Sequence, residues 1–305
     1  MSQKSGKHKI GTIVVGTSLS EASDGVLRCA HEIAERLGAK LIVVHGFPLP
    51  VVYGGGVYGT LAIEQQLDAE VERYRHRLRL QLERVGIVES AVDRLELVVE
   101  MEAGHRLLAQ VAQQRDADLV VVGAHEAHGP VANMLGSTAD RLLRTAAVPV
   151  LIARGPVCGF GRILAPVDLS DLSLCSVDRG LDTLGQIAKT ELRVEALFVL
   201  SNVDREGSAH FTAEQMEKFA GEALEEYLGK LSDRPSIDVR PVLRHGLPRQ
   251  EILEHQAEQP ADLVLLGTHG RSGFERFLLG SVASEVLRRL DVAALVVPPS
   301  SASSV

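Results

Sequence analysis

Cysteine is scarce in this chain. There are three, Cys29, Cys158 and Cys175, at long spacings and without a CxxC pair. An odd, dispersed set argues against a disulfide framework or a zinc site. A reducing, cytoplasmic setting is the simplest reading of it. Long apolar runs are also missing. None approaches the roughly 18 residues that a membrane helix needs, so no membrane span is expected. The opening MSQKSGKHKI lacks the apolar core of a secretory signal. Positive charge is not in excess, since the formal net charge is −8. Broad nucleic-acid binding relies on a basic surface and is therefore not expected. One basic pocket remains compatible with that balance, and Arg271 to Arg276 is locally positive. No Walker sequence GxxxxGK[ST] occurs.

What is present is ordinary globular material. Hydrophobic residues make up 45% and charged residues 24% of 305 positions, enough for two domains at about 150 residues each. The chain also repeats itself, which bears on the whole fold. Ile13 to Ser20 (IVVGTSLS) aligns with Ile163 to Ser170 (ILAPVDLS) at an offset of 150. Ala117 to His125 (ADLVVVGAH) aligns with Ala261 to His269 (ADLVLLGTH) at an offset of 144. The second offset also carries Leu135-Gly136-Ser137 onto Leu279-Gly280-Ser281. Two similar domains in tandem follow, 1–155 and 156–305. Their seam is expected near Arg154-Gly155-Pro156, where Gly and Pro interrupt regular structure.

Within each half, strand-like and helix-like stretches alternate. In the first, strands are expected over Lys9–Thr17, Lys40–His45, Leu95–Glu100, Leu119–Val122 and Val148–Ala153. Helices are expected over Ala22–Leu37, Leu61–Val85, Arg106–Arg115 and Thr138–Thr145. Gly38 and Gly86 stand where helix C-caps belong. Runs such as Leu119-Val120-Val121-Val122 are apolar on both faces, which suits a parallel sheet covered on both sides. The fold class is α/β: two tandem doubly wound, Rossmann-like domains, each with a five-stranded, mainly parallel sheet. Ligands of such sheets bind beyond the carboxyl ends of the strands, where strand order reverses. The last strands, Val148–Ile152 and Val292–Val297, are apolar edges that the two halves can pair with each other. That gives an intrachain pseudo-dimer, and a homodimer of whole chains is left open.

The second half carries the pattern G-x-x-G-x(9)-G-S, from Gly267 and Gly270 to Gly280 and Ser281. Glycines let backbone N–H groups approach a ligand and permit φ > 0. A helix starting at Ser281 aims free N–H groups and its positive dipole end at whatever precedes it. Asp168 follows an apolar strand and should stand beside this phosphate cradle, where a carboxylate can accept from ribose hydroxyls or an adenine amine. The competing reading makes Asp168 and Ser170 caps of the following helix.

ILAPVDLS at 163–170 with GTHGRSGFERFLLGS at 267–281 resembles the universal stress protein family, and the likeness extends over nearly the whole chain in tandem form. The resemblance implies that Asp168 contacts the adenosine portion of ATP, or of ADP or AMP. It implies that Gly267, Gly270, Gly280, Ser281 and Val282 surround the phosphates, with or without Mg²⁺, and that Ala196 lies near the base through its backbone. His269 and Arg271 are phosphate neighbours on the same reading, though His269 equally suits strand-end packing. In the first half, Ser18 stands for Asp168 and Glu126 for Gly270, so this half is expected to bind ATP poorly. Gly123, Gly136 and Ser137 remain there, so a pocket shape is expected to persist.

Three further features carry weaker signals. Gly54 to Gly59 matches GxGxxG but follows the second strand rather than the first, so a loop is expected. His105, His125 and His128 do not complete a metal set, and no metal site is expected. The acidic run Glu214 to Glu226 reads as a solvated helix face. The leading functional reading is an adenine-nucleotide-binding regulatory protein of stress responses with an unknown protein partner. A slow Mg-dependent ATPase and a non-binding interaction protein are the alternatives. No catalytic residue is assigned.

Overall fold

The computed structural model describes residues 9–48, 57–87, 94–124, 135–154, 159–201, 212–231, 233–268 and 279–298, with backbone alone for 57–66. The first half runs β1 (Thr12–Gly16), α1 (Asp24–Leu37), β2 (Lys40–Gly46), α2 (Val57–Val85), β3 (Leu95–Glu100), α3 (Gly104–Gln114), β4 (Leu119–Gly123), α4 (Ser137–Leu143) and β5 (Val150–Ala153). The second repeats the order: β6 (Arg162–Val167), α5 (Asp171–Ile187), β7 (Leu192–Leu200), α6 (Ala213–Gly229), β8 (Ile237–His245), α7 (Pro248–Glu258), β9 (Leu263–Gly267), α8 (Ser281–Arg289) and β10 (Ala293–Val297).

The strands form one ten-stranded sheet in the order β3-β2-β1-β4-β5-β10-β9-β6-β7-β8. Pairing is parallel within each half. At the centre β5 meets β10 antiparallel, with Leu151 opposite Leu295, so each half covers the other's apolar edge. Because side chains alternate across the sheet, successive residues of β1 serve different cores. Ile13 and Val15 join the layer under α1, α2, α5 and α6. Val14 joins the layer under α3, α4, α7 and α8.

Cations of the first half close helix ends in the second. Arg36 donates to the carbonyls of Ile187 and Ala188 at the end of α5. Arg154 Nη2 donates to Leu287 O at 3.0 Å near the end of α8. Both meet the negative end of a helix dipole.

Local signals explain several boundaries. Gly38 at φ +66° and Gly86 at φ +82° end α1 and α2 in the left-handed region that glycine adopts without strain. The expectation of a loop over Gly54–Gly59 is corrected in part. Val57, Tyr58 and Gly59 form the first turn of α2, because one glycine costs a 29-residue helix only about 1 kcal/mol. Gly54 to Gly56 lie outside the described residues. The reduced-thiol reading is corrected at Cys29, which is buried on α1 and disulfide-bonded. Cys175 is a free, exposed thiol.

Candidate functional site

In each half the crossover after the first strand and the crossover after the fourth strand leave toward opposite faces. Adjacent strands therefore part at their carboxyl ends, and a crevice opens there. In the second half this crevice is a cavity of about 360 Å³ lined by Asp168, Phe198, Ser201, Gly267, Gly280 and Ser281, with Pro248, Ile252 and Val282 completing its walls. That volume lies within the range of small-molecule sites.

The turn from β6 into α5 fixes Asp168. Its Oδ1 accepts from the Ser170 hydroxyl at 2.6 Å and from Ser170 N–H at 3.0 Å. The residue between them, Leu169, is held at φ +64°, a conformation that costs a non-glycine residue roughly 1–2 kcal/mol. Ser170 in turn caps α5, its hydroxyl accepting from Ser173 N–H at 3.2 Å. The helix cap is thus Ser170, and Asp168 orients that cap with one oxygen. Its Oδ2 makes no hydrogen bond among the described residues. Behind the turn, Ser173 and Tyr227 join through their hydroxyls at 3.1 Å. Burial pushes the Tyr227 phenol well above its usual pKa, so it stays neutral as a hydrogen-bonding group.

Opposite stands the start of α8. Its N-cap is Gly280, and no side chain accepts from its first turn. Gly280 N–H donates to Thr268 O at 2.9 Å, and Thr268 N–H to Val297 O at 3.2 Å, which pins both ends of the glycine loop to the sheet. Neither Gly267 nor Gly280 takes positive φ, and Gly280 sits at −53°. Close backbone approach, rather than a left-handed conformation, is therefore the use open to these two glycines. His269, Gly270 and Arg271 lie outside the described residues.

Ala196 does not line the cavity. It is fully buried in mid-sheet, paired with Ala165 and Pro241. The lining at the end of β7 comes from Leu197, Phe198, Val199 and Ser201, which sequence reasoning missed. Counting along the strand from Val167, whose partner is Phe198, is the signal that would have found them.

The first half holds a cavity of the same size, about 360 Å³, lined among others by Ser18, His45, Glu102, Gly123, Gly136 and Thr138. Its first turn repeats the strained geometry, with Leu19 at φ +61° and Ser18 Oγ bonded to Ser20 Oγ at 2.8 Å. Glu126, His125 and His128 lie outside the described residues. His105 is half-buried beside Arg106 and Arg141, and burial followed by these charges lowers its pKa. No group of three metal-ligating side chains occurs among the described residues. No described helix is long and apolar enough to cross a membrane.

A tandem fold with paired strand-end cavities defines the class of protein, and comparison with known proteins gives its family. The sequence profile of the Universal stress protein family matches twice, over residues 9–154 and 159–298. The chain belongs to that family. It is 28% identical over 295 residues to a universal stress protein of Mycolicibacterium smegmatis, covering 94% of this chain and 97% of the relative. It is 26% identical over 293 residues to universal stress protein Rv2623 of Mycobacterium tuberculosis, covering 92% and 94%. A solved structure of a universal stress protein from Archaeoglobus fulgidus superposes with a TM-score of 0.59 at 18% identity, covering 95% of this chain and 97% of that one.

Proposed function

We propose that the second-half cavity binds an adenine nucleotide and that the chain is a nucleotide-responsive regulator of the cytoplasmic stress response. The observation that carries this reading is the pairing across one cavity of the open Asp168 Oδ2 with the uncapped start of α8. A carboxylate accepts from ribose hydroxyls. A helix N-terminus takes phosphate. One ligand with a sugar at one end and phosphates at the other satisfies both.

Asp168 holds the ribose in this scheme. Gly267, Gly280, Ser281 and Val282 take the phosphates through backbone N–H groups and the Ser281 hydroxyl. The sequence pattern adds Gly270, His269 and Arg271 to the phosphate end. ATP, with or without Mg²⁺, is the form that makes most use of the loop. The two domains then divide at about residue 155, a degenerate one of 1–155 and a nucleotide-binding one of 156–305. In the first, Ser18 lacks the carboxylate, and Glu126 adds a negative charge to the loop. At about 4 Å from a phosphate that charge costs on the order of 4 kcal/mol at an effective dielectric of 20.

The test is extraction of the purified, denatured protein with mass identification of what is released. Adenine nucleotide in the extract, or a rise in melting temperature on adding ATP, supports the reading. An empty extract together with an unchanged melting temperature defeats it.

A further inference from the structure

The amino ends of the strands, opposite the crevices, also differ between the halves. In the first half a charged cluster there closes on itself. Lys40, at the start of β2, donates to the Glu96 carboxylate on β3. Arg115, the C-cap of α3, donates to the same carboxylate at 2.9 and 3.1 Å. Hydrogen bonds from Arg115 first and Lys40 second hold the Glu96 carboxyl below its ordinary pKa. Thr12, which starts β1, stands opposite Lys40. Two cations thus surround one anion that the chain itself supplies.

The second half keeps these positions and exchanges their charges. Arg162 corresponds to Thr12 at the 150-residue offset, and its strand partner Arg193 takes the place of Lys40. Glu96 stands opposite Ile42, two residues beyond Lys40. Arg240 stands opposite Glu195, two residues beyond Arg193, so Arg240 takes the place of Glu96. The C-cap of α7 is Gln259, in the place of Arg115 at the 144-residue offset. A shared pair of hydrogen bonds supports this correspondence. Asp118 Oδ2 accepts from Gly11 and Thr12 N–H, and Asp262 Oδ2 accepts from Gly161 and Arg162 N–H.

The corner holds a cavity of about 190 Å³ lined among others by Arg162, Arg193, Glu195, Arg240 and Gln259. Side chains alternate along a strand, so the three arginines and Glu195 share one face of the sheet. Arg240 pairs with Asp238 at 2.8 Å. Glu195, the one carboxylate in the lining, pairs with His255 at 2.7 Å. Arg162 and Arg193 have no ion pair or side-chain hydrogen bond among the described residues. They sit opposite each other on neighbouring strands, about 4.8 Å apart, where like charges repel. The first half answers its cations with Glu96. The second half puts a further cation at that point.

We infer that this cavity is a binding site for a small dianion, whose oxygens take the role that Glu96 plays in the first half. A guanidinium fork matches carboxylate and phosphate oxygens bidentately. Arg162 and Arg193 hold the ligand, and one dianion balances their two charges. Arg240 and Gln259 border it with further N–H donors. The site lies at the amino ends of β6, β7 and β8, while Asp168 and the start of α8 stand at the carboxyl ends. It is therefore independent of nucleotide binding in the second-half crevice.

Malonate is the probe, with malonamide as the uncharged control of matching shape. Calorimetric titration of the full chain at low salt should show one saturable malonate site and none for malonamide. Inorganic phosphate, titrated in the same way, tells carboxylate from phosphate preference, and one saturable site for either anion supports the inference. Arg193→Gln should weaken the bound anion about tenfold. Arg240→Glu restores the residue type of the first half, supplies the anion internally and should abolish binding. Both positions are exposed, and circular dichroism should show both variants folded. Absence of a saturable site for both anions, equal binding of malonamide, or anion binding unchanged in both variants would overturn the inference. ATP titrated on the same variants separates this outcome from the second-half reading, because neither substitution touches Asp168 or α8.

Discussion

At the residue scale the two cavities match in volume and differ in a carboxylate at the first turn. Asp168 and Ser18 occupy the same point of the same strained turn, yet only Asp168 brings a carboxylate. Asp168→Asn keeps the Ser170 hydrogen bonds and removes the charge. Nucleotide affinity should fall about 10- to 150-fold, the effect of a charge-assisted hydrogen bond of about 1.5–3 kcal/mol, as read by calorimetric titration. An unchanged affinity would remove Asp168 from the site. His45 gives a second prediction at this scale. Burial, the largest effect, depresses its pKa, the Thr17 carbonyl opposes that, and Arg77 adds to it. The ring also packs against Phe47 and Tyr74, and Arg73 and Arg77 lie over Tyr74. The unfolded chain therefore takes up the proton first. Stability is full above the ordinary histidine value of about 6.5 and is lost as pH falls below it toward the lowered folded value. Melting curves from neutral to mildly acidic pH should show this loss, and His45→Phe should flatten it.

At the scale of elements, much was legible and some was not. Gly38 and Gly86 marked two helix ends because a left-handed C-cap leaves a signature in a single residue. The strands announced themselves because a sheet buried on both faces demands continuous apolar runs. The start of α2 at Val57 was hidden by glycines that also suit a loop. Ala196, which the family resemblance set near the base, lies two residues short of Phe198 along β7, and apolar runs do not show how far along a strand the crevice opens. The network of Thr17, Ser23, Gln81, Asp24 and Arg84 joins residues up to 64 apart in sequence, and no local pattern encodes it. Gly46 tests the close approach of β2 to the β3–α3 connection. An added Cβ would lie 2.6 Å from Glu102 O and 3.0 Å from Gly104 Cα, both backbone atoms that give little. Gly46→Ala should cost about 1–3 kcal/mol in chemical denaturation. A neutral substitution would show that this corner is looser than described.

For the whole molecule, the β5–β10 pairing turns two sheets into one. It places the two strand-end cavities along one continuous sheet and pairs edges that would otherwise be open to other chains. A fragment beginning at residue 159 would expose β10, with Ala294 and Val296 deprived of Ile152 and Val150. Sedimentation should find that fragment dimeric or larger, and a stable monomer would argue that the edge is protected in another way. The repeat also frames the central claim. The two halves carry crevices of equal volume, and under the proposed function the carboxylate of Asp168 and the second-half glycine pattern distinguish the one that takes nucleotide. Calorimetric titration of the full chain with ATP measures this most directly. The account predicts one nucleotide per chain, lost in Asp168→Asn. Two equivalent sites, or one site indifferent to Asp168, would contradict it.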